Sequence, residues 1–214
     1  MARRKDNRSG KELIRASVSL DYEVSRMGIM LHLLLESKVT IASAARDKAI
    51  LNAFLDSFLQ ATRNLCHFLY SHNPRPSDII AEDFFDDERD WCRARPALAE
   101  FHDGSLVNLI SKRLVHLTWD RTSGTKPSWG AFRIAWELCK ALDVFIAKVP
   151  SSRVDTSLSQ DVAALILSMR QIIEQCGGID LVESAPLSQI WNEDELSMGT
   201  GAFNTNIGSE EESK

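Results

Sequence analysis

ELIRASVSLDYEVSRMGIMLHLLLES, residues 12–37, decides the fold. Leu13, Ser17, Leu20, Val24, Met27, Leu31 and Leu34 recur in it at steps of three or four. That spacing puts all seven on one face of a 3.6-residue helix and would scatter them over both faces of a strand. Just upstream, Ser9 and Glu12 form an S-x-x-E box, whose two side chains can satisfy free backbone donors at a helix start. The pattern predicts a helix from the box to about Ser37.

Working outward, the same periodicity returns. Ile41, Ala44, Lys48, Leu51, Leu55, Phe58, Thr62, Leu65 and Leu69 predict a second helix over roughly residues 40–71. Asn73-Pro74-Arg75-Pro76 ends it, because proline lacks the amide and constrains its predecessor. Residues 78–91, DIIAEDFFDDERDW, set seven carboxylates around Ile79, Ile80, Phe84 and Phe85. A short helix or structured loop anchored by those apolar residues fits. A calcium loop fits less well, since the ligand order and central glycine of an EF-hand are absent.

A third long segment is expected to start at Pro96, bend near Asp103-Gly104-Ser105 and run to Arg121. Ser123 to Pro127 reads as a turn, with Ser128 as the cap of the next helix. Phe132, Trp136, Cys139, Leu142, Ile146 and Val149 line that helix before Pro150 stops it. Ser157 with Gln160 reads as another capping box, followed by Val162, Ile166, Met169, Ile173 and Cys176, then Gly177-Gly178 as the stop. There is no internal repeat.

The expected architecture is all-α: a bundle of about five to six helices over residues 11–178. Residues 1–10 form a flexible basic N-terminus and 179–214 a largely flexible acidic tail. The two longest helices are expected to be an antiparallel pair over 40–71 and 105–121.

Composition agrees with long helices. Glycine and proline, the residues that deplete helix interiors, number only 10 and 6 in 214. A net charge of −5 argues against the global basic field of a duplex-DNA binder, though it leaves room for a local RNA pocket. Cys66, Cys92, Cys139 and Cys176 form no C-x-x-C pair and there is no H-x-x-x-H, so buried reduced thiols are expected, with no metal and no cofactor. The basic start lacks a following apolar stretch of signal type, and Ile29 to Leu35 is too short to span a bilayer. A cytoplasmic protein with no membrane partner is expected.

The chemistry-bearing residues sit in two helical stretches. In AFLDSFLQATRNLCHFLY, residues 53–70, Gln60, Arg63 and His67 share a face and Asn64 lies beside it, close to the apolar stripe. In VNLISKRLVHLTWDRT, residues 107–122, Arg113, His116 and Asp120 flank the stripe and Arg121 closes it. An imidazole beside a carboxylate and an arginine suits acid–base chemistry. The alternative is structural: Arg63 and Asn64 as a buried network between helices, and His116 as a hydrogen-bonded core histidine. Trp119, Trp129 and Trp136 read as core or interface residues before base-stacking ones.

AFLDSFLQATRNLCHFLY, DIIAEDFF and RLVHLTWDR (residues 53–70, 78–85 and 113–121) together resemble a branch of the HEPN superfamily, helical bundles tied to abortive infection and toxin–antitoxin systems. The resemblance covers about residues 20–150. It rests chiefly on Arg63-Asn64 and on His116-Leu117-Thr118 with Arg121. Ribonuclease members carry R-x4-6-H with a polar residue after the arginine; the arginine and histidine meet across a homodimer and cleave RNA through its 2′-hydroxyl without metal. Here His67 follows Arg63 after only three residues, while Arg26 to His32 and Arg95 to His102 have the formal spacing without the polar neighbour.

The resemblance implies a metal-independent endoribonuclease or toxin whose catalytic set is Arg63, Asn64, His116 and Arg121. RNA would be the substrate and a cognate antitoxin a protein partner. The alternative is a non-catalytic helical module that binds a protein or nucleotide. A homodimer is expected on separate grounds: Ile29, Met30, Leu33 and Leu35 extend the apolar surface of the first helix beyond its stripe.

Overall fold

A computed structural model describes residues 8–40, 45–71, 73–97, 105–112 and 130–178. The capping box opens the first helix, α1, Gly10–Thr40. Glu12 Oε2 accepts from the Ser9 amide at 2.8 Å, and Ser9 Oγ accepts from the Glu12 amide at 3.4 Å. All seven stripe residues from Leu13 to Leu34 are buried. The helix α2, Ala45–Tyr70, packs along α1 with Leu51, Leu55, Phe58, Thr62, Leu65 and Leu69 buried.

The acidic segment condenses into a 3₁₀ turn, Ala81–Phe84, and a short helix α3, Glu88–Ala94, which Asp87 caps by accepting from the Arg89 amide. Ile80, Phe84 and Phe85 are buried as expected, whereas Ile79 is exposed. Trp91, which no periodicity singled out, is fully buried, and its Nε1 donates to the Leu69 carbonyl at 2.8 Å. That bond satisfies one of the free carbonyls at the end of α2. Phe145 then sits among four rings, 5.2–5.9 Å from the centroids of Phe68, Phe84, Phe85 and Trp91.

The remaining helices are α4, Ser105–Ile110; α5, Ala131–Lys148; and α6, Thr156–Cys176, with a 3₁₀ turn at Ser151–Arg153 between the last two. The chain widens into a π turn at Ser111 and Lys112 after α4. The helix α6 packs on α1 and α5, and α2 contacts α4 and α5. Gly177, at φ 79°, closes α6 by donating its amide to the Glu174 carbonyl, and Gly178 donates to Ile173. The architecture is an all-α bundle with no strand among the described residues.

Four local expectations are corrected. Pro96 and Ala97 are not helical: α3 ends at Ala94 and Arg95 is extended at ψ 136°, as the following proline favours, while residues 98–104 of the expected segment lie outside the described residues. The N-cap of α5 is Gly130 rather than Ser128. The N-cap of α6 is Asp155, which accepts from the Ser157 amide at 2.9 Å. Ser157 instead donates its hydroxyl to Asp21 on α1 at 2.8 Å, so a non-local partner outcompetes the local box. The two longest helices among the described residues are α1 and α2: α2 is the helix expected over 40–71, but its longest companion is α1 rather than the segment 105–121. Of the expected 105–121 helix, residues 113–121 lie outside the described residues, as do 1–7 and the whole of 179–214.

No helix among the described residues is long and apolar enough to cross a membrane.

Candidate functional site

Arg63 and Asn64 occupy neighbouring positions on α2, so their side chains leave the helix about 100° apart. They diverge accordingly. Asn64 Nδ2 donates to Glu23 Oε1 on α1 at 2.9 Å. Arg63 Nε donates to Ser111 Oγ, just past α4, at 2.8 Å. Both residues are half-buried. Each therefore links α2 to a different element, and they do not converge on one point.

Glu23 is the hub of the α1 side. Its Oε2 lies 2.6 Å from Arg26 Nη2, in ionic contact, while Oε1 takes the Asn64 amide. The Arg26 guanidinium also lies 5.5 Å from the centre of the Tyr22 ring, within cation–π range. Arg26 Nε is buried without a hydrogen-bond partner among the described residues. Arg26 and Glu23 are thus part of the polar assembly and were missing from the expected set. One clue was present: Glu23 and Arg26 are three apart on a helix, the spacing of an ion pair. Their link to Asn64 is a contact between residues 41 positions apart, which no local pattern encodes.

The other two expected members, His116 and Arg121, lie outside the described residues. The histidine nearest Arg63 in sequence is His67, one turn along α2. Its Nε2 sits 3.5 Å from Asp78 Oδ2 and 3.4 Å from Ser71 Oγ, with the side chain 40% exposed. Asp78 Oδ2 also accepts from the Arg75 amide at 2.7 Å, which fixes the carboxylate in the turn after α2. His32 is a surface residue paired with Glu36 at 3.0 Å. It does not share a face with Arg26, so the formal Arg26 to His32 spacing assembles nothing.

A second polar seam joins α1 to α6. Ser157 donates to Asp21, Ser25 donates to Asp161 at 2.7 Å, and Ser17 Oγ accepts from the Asp155 amide at 2.7 Å. Burial pushes the Asp21 carboxyl above its ordinary range; the Ser157 hydroxyl opposes this, and the neighbouring Asp161 and Asp155 charges add to it. A third cluster lies beside α3, where Glu82 Oε1 is 3.7 Å from both Cys92 Sγ and Arg95 Nη1. Burial raises the Glu82 carboxyl, and it raises the thiols of Cys66, Cys92 and Cys139, the last to about 12. None of these three thiols offers the depressed pKa of a cysteine nucleophile.

Cys66 and Cys139 are buried as expected, but Cys92 and Cys176 are exposed. Cys176 falls in the last turn of α6, where the apolar face has already run out. No group of three or more His, Cys, Asp or Glu among the described residues is arranged to hold a metal ion.

Against family models, curated proteins and solved structures, the chain finds no match in any of the three comparisons.

Proposed function

We propose that this chain is a HEPN-like helical module that acts by binding a partner, with Arg63 and Asn64 as clasps between helices rather than a ribonuclease centre. The observation that carries this reading is their engagement inside the bundle, Asn64 with Glu23 and Arg63 with Ser111. An RNA-cleaving centre of the HEPN kind needs its arginine and polar neighbour directed at one phosphodiester. Two side chains that brace two different helices are poorly disposed for that. A buried hydrogen bond to a charged group is worth about 1.5–3 kcal/mol to the fold, which is reason enough to keep both residues. The partner classes that suit such a module are a protein, a cognate antitoxin among them, or a nucleotide.

The test pairs two measurements on the full chain. Incubation with single-stranded and hairpin RNA in the presence of a chelator should show no cleavage that depends on Arg63, while Arg63→Ala and Asn64→Ala should both melt at lower temperature. Cleavage lost in an Arg63→Ala variant with an unchanged melting temperature would replace this reading with the ribonuclease. A nucleotide panel, scored by rise in melting temperature, divides the partner classes.

The ribonuclease reading draws support from one geometry. His67 is accessible, lies one turn from Arg63 and has a carboxylate within 3.5 Å, an arrangement suited to proton transfer. In that version His67 or His116 moves the proton, Arg63 and Arg121 stabilise phosphate charge, and one of His67→Ala and His116→Ala abolishes cleavage with the fold intact.

A further inference from the structure

Three of the six large apolar side chains most exposed among the described residues lie on α1: Val18 at 52%, Tyr22 at 62% and Ile29 at 56%. On a helix advancing 100° per residue they fall within one narrow outward stripe, opposite the buried one. Lys11 and Glu36 fall on the same stripe, near its two ends, and both are exposed. Glu36 also meets His32 on its own helix at 3.0 Å. The flanks of α1 are taken: Asn64 of α2 holds one side through Glu23, and Ser157 and Asp161 of α6 hold the other. The outward stripe lies between them.

We infer that this stripe pairs with the same stripe of a second copy, the two α1 helices running antiparallel. The charge layout selects the occupant and the direction. Lys11 and Arg15 stand at the start of the stripe and Glu36 at its far end. Parallel pairing would stack Lys11 on Lys11. Reversing the partner about a two-fold axis midway between Glu23 and Val24 sets Lys11 against the partner's Glu36 and Val18 against the partner's Ile29. Tyr22 then lies over the partner's Ser25. The symmetry repeats each contact twice, so one helix face is complementary to itself. Lys11 and Glu36 are about 37 Å apart at ~1.5 Å per residue, a seam long enough for an extended contact. This pairing holds whether the module binds or cleaves.

Sedimentation of the full chain over a roughly hundredfold concentration range about the micromolar region tests it. The wild-type chain should show a reversible monomer–dimer equilibrium. Ile29→Glu should weaken it by about tenfold or more, since it buries a charge at two symmetric points. Lys11→Glu and Glu36→Lys should each weaken it roughly three- to tenfold, and the two reversals combined in one chain should restore it. Helical circular dichroism establishes that each variant is folded. A chain that stays monomeric throughout overturns the pairing, as does a dimer indifferent to Ile29→Glu or a double reversal no tighter than the single ones.

Discussion

Asn64 shows how little a polar residue's type says about its task. Read along the chain, it follows an arginine, as the polar residue of the motif behind the HEPN resemblance would, although His67 comes after only three residues. In the fold its amide is spent on Glu23, a residue of another helix. Asp21 is a second case. Its carboxyl is raised by burial among Asp155 and Asp161 on α6, so the folded state disfavours its charged form. A raised carboxyl gives stability that is fully present below its unfolded value near 3.8 and is lost as pH rises through the folded value. Asp21→Asn keeps the acceptor for Ser157 and removes that loss. The variant should melt above wild type at neutral pH, and the gap should close as pH falls below about 4. A gap that widens toward acid would contradict the assignment. The apolar stripe of α1 could be read residue by residue because burial follows spacing alone. The partners of Asn64, Arg63 and Ser157 could not, because each is a choice among distant helices.

At the scale of elements, the helix ends separate what is local from what is not. The Ser9–Glu12 box and the Gly177 stop lie where the sequence pattern puts them, since each is completed by residues no more than four positions away. The start of α6 differs because Asp155 takes the cap and Ser157 turns to α1. The segment after α2 was legible as a short helix or anchored loop, but the span of α3 around Trp91 was not, because seven residues carry too few repeats for a period to appear. Two substitutions weigh these ends. Gly177→Ala forces a side chain into the left-handed region at φ 79° and should cost about 1–2 kcal/mol in chemical denaturation. Asp155→Ala removes the cap of α6 and should cost about 1 kcal/mol. A Gly177→Ala chain as stable as wild type would show that α6 frays before its cap matters.

For the whole molecule, the bundle is tied at two places: the polar clasps along α1, and the ring cluster around Phe145. The second follows from physics of shape. Trp91 fills the space beside Phe145 and also satisfies a carbonyl at the end of α2. Trp91→Ala should therefore cost about 3–5 kcal/mol, the range for emptying a buried aromatic site. Trp91→Phe should recover the packing but not the hydrogen bond, leaving a loss of about 1–3 kcal/mol from the unpaired carbonyl. The first is the central claim, that residues resembling a catalytic motif hold helices together. A double-mutant cycle on Glu23 and Asn64, read by equilibrium unfolding, tests it most directly. If the clasp is structural, Asn64→Ala alone costs about 1–3 kcal/mol, and the double variant with Glu23→Ala costs less than the sum of the two by about 1 kcal/mol or more. If both single variants stay within about 0.5 kcal/mol of wild type and their effects add, the two residues are not a clasp and the account fails.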